Sequence, residues 1–366
     1  MTGIIHTGLE KKNDKIALWA ITPKGVLLAR KIAESLPDAR LHLSADLNIN
    51  DIPASYFERL ADAIAGDFHA YTGHVFIMST GIVVRLIASC IRNKTTDPAV
   101  VVVDETGRHA VSLVSGHLGG ANSLAIKVAG LIGAEPVITT ATDVNQVPAI
   151  DLLAKQHNLF IENPEAIKNI NMAFITGEKF YLHDPYALLC DSIDPSYILA
   201  AHIPTDFKKG QITENEDTPG VFIDDALADL SKKMLILRPG SLVAGIGCNR
   251  NTTMKEIKEF FEEVLEGSKL AIASVIRIAT INLKADESGL IAFAEELKLP
   301  ISFYDKEELN RADGIKSPSD MVEKHTGVKS VCEAAAILAS KNGKLIAPKH
   351  STRNVTVAIA RIPFIS

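Results

Sequence analysis

Ala110-Val111-Ser112-Leu113-Val114-Ser115-Gly116-His117-Leu118-Gly119-Gly120-Ala121-Asn122 moves from an apolar, β-rich run through a glycine turn into a segment whose Leu124, Val128 and Leu131 share one helical face. A strand, a tight turn and a helix in that order make up the repeating unit of an α/β sheet, and residues 136–140 supply a following strand.

The same grammar extends toward the N-terminus. Residues 16–21 read as a strand, 24–36 as a helix, 39–43 as a strand, 56–65 as a helix, 74–78 as a strand, 83–91 as a helix and 99–103 as a fully buried strand. Parallel pairing is expected, and Thr142-Asp143-Val144-Asn145 closes a first domain at residues 1–145. Residues 146–238 are less regular, with prolines at 164, 185, 195, 204 and 219 and the acidic stretch Thr213-Glu214-Asn215-Glu216-Asp217, and predict a small middle α/β region. The rhythm returns in residues 239–366. A strand at 242–244 precedes the turn Gly245-Ile246-Gly247-Cys248-Asn249-Arg250-Asn251 and a helix capped by Thr253, with Glu256 at capping-box spacing. Ile257, Phe260, Phe261, Val264 and Leu265 form the buried face of that helix. Strands at 279–283, 301–304, 345–347 and 354–361 follow, with helices around Leu290 to Leu297 and after Ser330, where Glu333 repeats the capping-box spacing. The expected fold is a multidomain α/β protein whose N- and C-terminal domains carry mainly parallel sheets, joined by the smaller middle region.

A chain of 366 residues is long enough for two or three cores. With 47% hydrophobic residues, 22% charged residues and a net charge of -6, composition argues against disorder and against a nucleic-acid surface. Apolar runs are strand-sized, far below the ~20 residues of a membrane span, and residues 1–15 lack the pattern of a secretory signal, so a cytoplasmic protein is expected. Cys90, Cys190, Cys248 and Cys332 are widely spaced without a C-x-x-C pair, which predicts no metal site.

Several strand-to-helix turns carry residues suited to chemistry. Glycines in the turn from Ser115 to Asn122 let backbone approach a ligand, N–H groups at a helix start attract anions, and His117 can exchange a proton near neutral pH. A helix-capping turn with a satisfied histidine explains the same residues. Ser79-Thr80-Gly81-Ile82-Val83-Val84-Arg85 follows another strand and is expected at the same carboxyl edge, with Arg85 either gripping a carboxylate or solvated. Thr139 to Asp143 and Asp104-Glu105 also fall at strand ends, as helix caps or water-orienting groups. Gly245-Ile246-Gly247-Cys248-Asn249-Arg250 begins like a dinucleotide fingerprint but has Arg250 in place of the third glycine, and no phosphate-binding P-loop occurs. Asp286 and Glu287 read first as helix-start residues, and Lys349 as either a solvated lysine or an anion contact.

Taken together, the 79–85, 115–122 and 136–143 segments, with Gly245 to Arg250, Ala279 to Glu287 and Val355 to Arg361, resemble the CbiG family of cobalamin biosynthesis. The resemblance implies a hydrolase that opens the δ-lactone of the ring A acetate of cobalt-precorrin-5A. It then releases C20 with its methyl group as acetaldehyde, giving cobalt-precorrin-5B. It implies no protein-held cofactor, since the macrocycle carries its cobalt, and points to neighbouring corrin-pathway enzymes and a homo-oligomer as partners to consider, with neither nucleic acid nor membrane. On this resemblance His117 activates water, N–H groups from Gly119 to Asn122 hold the oxyanion, and Thr80 or Asp143 orients the partners. Gly81, Arg85, Ser115, Gly119, Gly120, Asn122, Thr140, Gly245, Gly247, Cys248, Asn249, Arg250, Asp286, Glu287 and Lys349 line the substrate, with Arg85, Arg250 and Lys349 as carboxylate anchors. Two other readings fit the residues: a non-catalytic tetrapyrrole carrier, and an α/β enzyme for a nucleotide or sugar phosphate.

Overall fold

The computed structural model describes residues 15–49, 52–93, 96–200, 218–318 and 327–364. Residues 1–14, Pro204 and the acidic stretch 213–217 lie outside them. The chain is a mixed α/β protein with three sheets and two compact units, one running to Leu152 and the other from Leu153.

The first unit contains β1 (Ile16–Ala20), α1 (Pro23–Glu34), β2 (Ala39–Ser44), β3 (Ser55–Phe57), α2 (Leu60–Asp67), β4 (Gly73–Ile77), α3 (Thr80–Ile87), β5 (Ala99–Val103), β6 (His109–Val114), α4 (Ala121–Ile132), β7 (Glu135–Val137) and α5 (Ala141–Val144). Then α6 (Ile150–Gln156) begins. Its sheet has the order β3-β2-β1-β4-β5-β6-β7. The apolar runs of β1 and β5 at its centre are buried on both faces, as a sheet covered by helices on both sides requires. On one face Val26, Ile32, Leu124 and Val128 from α1 and α4 join Leu18, Val75 and Val101, while Ile64, Phe68, Val83 and Ile87 join Trp19 and Phe76 on the other.

All neighbouring strands of this sheet are parallel except β5 and β6, where Val100 faces Val114 and Val103 faces Ala110. A parallel neighbour needs a crossover of a dozen or more residues, and only residues 104–108 separate these two strands. The Asp104 carboxylate locks the reversal by accepting the N–H groups of Thr106, Arg108 and His109 at 2.9, 3.0 and 2.7 Å. Burial pushes that carboxyl up, but these bonds and the Thr106 hydroxyl outweigh it and hold Asp104 at about 2. The expectation that the 79–85 and 115–122 turns share one edge is therefore corrected: β6 runs back, and its end lies beside the start of β5, opposite the end of β4.

The second unit contains two sheets. β8 (Phe160–Ile161), α7 (Ile167–Thr176), β9 (Phe180–His183), β10 (Ile198–Ala200), β11 (Gly220–Ile223) and β12 (Met234–Arg238) supply one, ordered β10-β9-β11-β12-β8. β13 (Leu242–Cys248), α8 (Met254–Gly267), β14 (Val275–Ile281), α9 (Ser288–Leu297), β15 (Ile301–Tyr304), α10 (Lys306–Leu309), α11 (Val331–Ala339), β16 (Lys344–Ser351) and β17 (Val355–Arg361) supply the other, ordered β15-β14-β13-β17-β16. The Thr253 hydroxyl caps α8 by accepting from Glu256 N at 3.2 Å, whereas the Glu256 side chain turns to Asn354 instead of closing a capping box. Glu333 is no cap either: fully buried, it accepts backbone N–H groups from Lys316, Ser317 and Lys349 at 2.7 to 2.9 Å and ties three segments together.

The two sheets of this unit are joined by Asp225, just past β11. Its buried carboxylate takes two bonds from the Arg361 guanidinium on β17, at 2.7 and 2.6 Å, and one from the Ser241 hydroxyl at 2.7 Å. Removing Asp225 leaves the largely buried Arg361 guanidinium without its carboxylate partner. Asp225→Ala is expected to lower the stability of this unit by about 3 to 5 kcal/mol in urea unfolding followed by circular dichroism; a loss below about 1 kcal/mol would contradict this role.

The first unit holds a buried neutral histidine. Trp19 Nε1 donates to His74 Nδ1 at 3.0 Å, and His74 Nε2 donates to the Phe68 carbonyl at 2.9 Å, so the neutral ring is fully satisfied. Burial above all pushes His74 down to about 4, against the Phe68 carbonyl and with His42 and His69 adding to the shift. An unfolded chain takes up this proton below its ordinary value of 6.5, whereas the native state resists it until about 4. The contribution of His74 is thus complete above pH 6.5 and is lost as pH falls toward 4, by up to about 3 kcal/mol. Trp19, the chain's single tryptophan, reports the loss by fluorescence during urea unfolding at stepped pH, and a flat stability between pH 6.5 and 4 would contradict it.

Candidate active site

His117 lies in the turn between β6 and α4, with its side chain 10% exposed and a carboxylate at each ring nitrogen. Nε2 meets Asp143 Oδ2 at 2.9 Å, and Nδ1 meets Asp151 Oδ2 at 3.3 Å. The Thr142 hydroxyl lies 3.1 Å from Nε2. Asn122 completes the cluster: its Nδ2 donates to Thr140 Oγ1 at 3.0 Å and to Asp143 Oδ2 at 3.1 Å, while its Oδ1 accepts from the Ser112 hydroxyl at 2.7 Å. β6, α4, α5 and α6 each contribute, and the parallel pairing of β6 with β7 brings α5 to the same edge.

A neutral imidazole has one N–H, so two carboxylates facing two nitrogens favour the imidazolium. The Asp151 hydrogen bond is the largest influence and raises the His117 pKa; burial opposes it, and Asp143 raises it further. The side chain of Asp151 is 8% exposed and that of Asp143 38%, so the pair has an inner and an outer carboxylate.

The turn itself is tightly built. Ser115 holds φ +61°, and its buried Oγ has no hydrogen-bond partner among the described residues. Gly119 presses against it, since a Cβ there would lie 2.3 Å from the Ser115 Cβ, and Gly120 begins α4 at φ +88°. Three of the four expected oxyanion donors are already engaged, because the N–H groups of Gly120, Ala121 and Asn122 donate to the carbonyls of His117, Ser115 and Gly116.

Of the residues singled out in the sequence, Ser115, His117, Gly119, Gly120, Asn122, Thr140 and Asp143 gather here. Thr80, Gly81 and Arg85 do not. They lie on α3 at the opposite sheet edge, Thr80 and Gly81 at its start and Arg85 in its last turn, and the Arg85 guanidinium folds back to the Gly81 carbonyl at 3.4 Å. Thr142 lay inside a quoted segment without a role of its own, and Asp151 was missed.

In the second unit the expected ligand turn is largely strand. Gly245 and Gly247 lie within β13, where a Cβ on Gly245 would sit 1.8 Å from the Cys332 carbonyl and one on Gly247 2.6 Å from Thr356 Oγ1, so these glycines admit close neighbours rather than an anion. Burial pushes the Cys248 thiol up, which disfavours a reactive thiolate. Asn249 ties to Arg353 and Asn354. Arg250 is held by Asp286 and the Leu283 carbonyl, and buried Glu287 accepts Asn251 N at 2.7 Å. Asp286 and Glu287 thus clamp two loops, and a substrate carboxylate at Arg250 would have to displace Asp286. Lys349 lies within β16, its N–H bound to Glu333. Among the described residues no group of three or more His, Cys, Asp or Glu side chains is placed to hold a metal ion.

Three family models match in order along the chain: cobalamin synthesis G N-terminal over residues 62–143, cobalamin biosynthesis central region over 148–239 and cobalamin synthesis G C-terminus over 242–360. A cobalt-precorrin-5A hydrolase of Salmonella typhimurium is 35% identical over 95% of this chain and 98% of its own. One from Priestia megaterium is 32% identical over 95% of each. A solved cobalamin biosynthesis protein G homolog from Sulfolobus solfataricus is 23% identical and covers 96% of this chain and 98% of its own, at a TM-score of 0.34 that carries no structural argument. Identity of this order across nearly the full length of both chains places the protein in a family: it belongs to the CbiG family of cobalamin biosynthesis.

Proposed function

We propose that this chain is a cobalt-precorrin-5A hydrolase that opens the ring A acetate δ-lactone and releases C20 with its methyl group as acetaldehyde, using the cluster around His117. The full-length relatives named for that activity support the reaction. The observation that supports the site is the His117 imidazole between two carboxylates, one of them open to solvent.

Lactone hydrolysis needs a group to take a proton from water and a group to stabilise or protonate the departing oxygen. Asp143, the outer carboxylate, is placed where water can reach it, and His117 lies in direct contact with it. Asn122 fixes the Asp143 oxygen, and Thr140 and Ser112 fix Asn122. Cobalt enters as part of the substrate. Among the described residues no helix is long and apolar enough to cross a membrane, and we place the reaction in the cytoplasm, with corrin-pathway enzymes supplying the substrate and taking the product.

His117→Ala is expected to lower acetaldehyde release by about 10²- to 10⁴-fold while substrate still binds. The assay is anaerobic incubation with cobalt-precorrin-5A, acetaldehyde trapped as a hydrazone and the corrinoid weighed by mass spectrometry. Unchanged turnover in the variant removes His117 from the reaction, and tight binding without acetaldehyde from the unmodified protein supports a carrier.

A further inference from the structure

Asp151 belongs to none of the sequence segments that carry the family resemblance. It stands on the first turn of α6, buried, and a carboxylate so placed is costly unless paired. Its pairing with His117 Nδ1 at 3.3 Å fixes the ring from below, so that Nε2 faces Asp143 and Thr142 above. Asp143 and Asp151 are the ionisable groups facing the ring, from α5 and α6; the Thr142 hydroxyl is a neutral contact, and Asn122 reaches the ring only through Asp143.

We infer that Asp151 is a positioning residue that makes His117 the proton donor of the hydrolysis, leaving Asp143 to take the proton from water. The inference rests on the hydrolase reading and deepens it. A water O–H bond breaks, its proton passes to Asp143, and the oxygen bonds to the lactone carbonyl carbon as the carbonyl π pair moves onto the carbonyl oxygen, to return when the ring oxygen is expelled. The bond from that carbon to the ring oxygen then breaks, the electron pair stays on the departing oxygen, and this oxygen takes the proton from His117 Nε2. The proton on Asp143 returns to His117 across their 2.9 Å contact, restoring both groups with no oxidant or reductant. The raised His117 pKa agrees with this assignment, since a base acting on water must be neutral while a donor must be charged. A donor is active at low pH and fails as pH rises through its pKa, so this step sets an alkaline limit.

The Asp151→Asn variant keeps a hydrogen-bond acceptor for Nδ1–H and removes the charge. Two readouts decide: titration of the His117 ring by NMR on ¹⁵N-histidine-labelled protein, and the pH profile of kcat for acetaldehyde release, with Trp19 emission and circular dichroism to check folding. In the unmodified protein the ring is expected to titrate above 6.5. In Asp151→Asn the ring and the alkaline limb of kcat move down together, kcat on that limb falls about tenfold per unit of displacement and KM changes less than twofold; Asp151→Glu restores part of the limb. A ring that titrates at or below 6.5 in the unmodified protein, a limb that stays put while the ring shifts, or a faster variant at neutral pH overturns the inference. If Asp151→Asn does not fold, the unmodified ring and the Asp151→Glu profile still decide. An unmodified protein that releases no acetaldehyde instead overturns the hydrolase reading and the donor role with it, even where the ring titrates as expected.

Discussion

Five residues cannot carry a chain from the end of one parallel strand to the start of the next, so residues 104–108 turn β6 back along β5. The location of the candidate site follows from this constraint. It delivers Ser115 to Asn122 to the edge where β5 begins, and the parallel run of β7 beside β6 then brings Thr140, Thr142 and Asp143 to the same place. Asp104, with its hydrogen bonds to Thr106, Arg108 and His109, fixes the reversal without touching the site.

Buried charges in this chain are satisfied in different ways, and the partners show what each does. Glu333 accepts backbone N–H groups from two segments besides its own helix, and Asp225 is held by a guanidinium and a hydroxyl joining two sheets; both carboxylates serve as structural ties. His74 is buried with its two nitrogens matched to one donor and one acceptor, which keeps it neutral. His117 faces acceptors at both nitrogens, and one of those acceptors reaches solvent. Of these groups it alone combines a raised imidazole pKa with a path to bulk water, which separates chemistry from scaffolding.

The α/β rhythm was legible because buried strands and amphipathic helices have different periods, and the Thr253 cap and the apolar face of α8 stand as their spacing predicts. The antiparallel hairpin is also written in the sequence, in the five residues between β5 and β6, but the expectation of parallel pairing through this stretch hides it. Gly245 and Gly247 read as a turn because glycine signals freedom as well as close approach, and only the packed Cys332 carbonyl distinguishes the two. Asp151 carries no signal of its own in the sequence. Its partner lies 34 positions earlier in the chain, a pairing no local pattern encodes.

Attack of water on the lactone carbonyl at this site is the step on which the proposed reaction rests. Its most direct test is turnover in H₂¹⁸O with the corrinoid product analysed by tandem mass spectrometry. One ¹⁸O is expected in the ring A acetate carboxylate, because acyl–oxygen cleavage places the water oxygen there. A ring A carboxylate without label would show that the ring oxygen left from its other carbon, and would contradict the account.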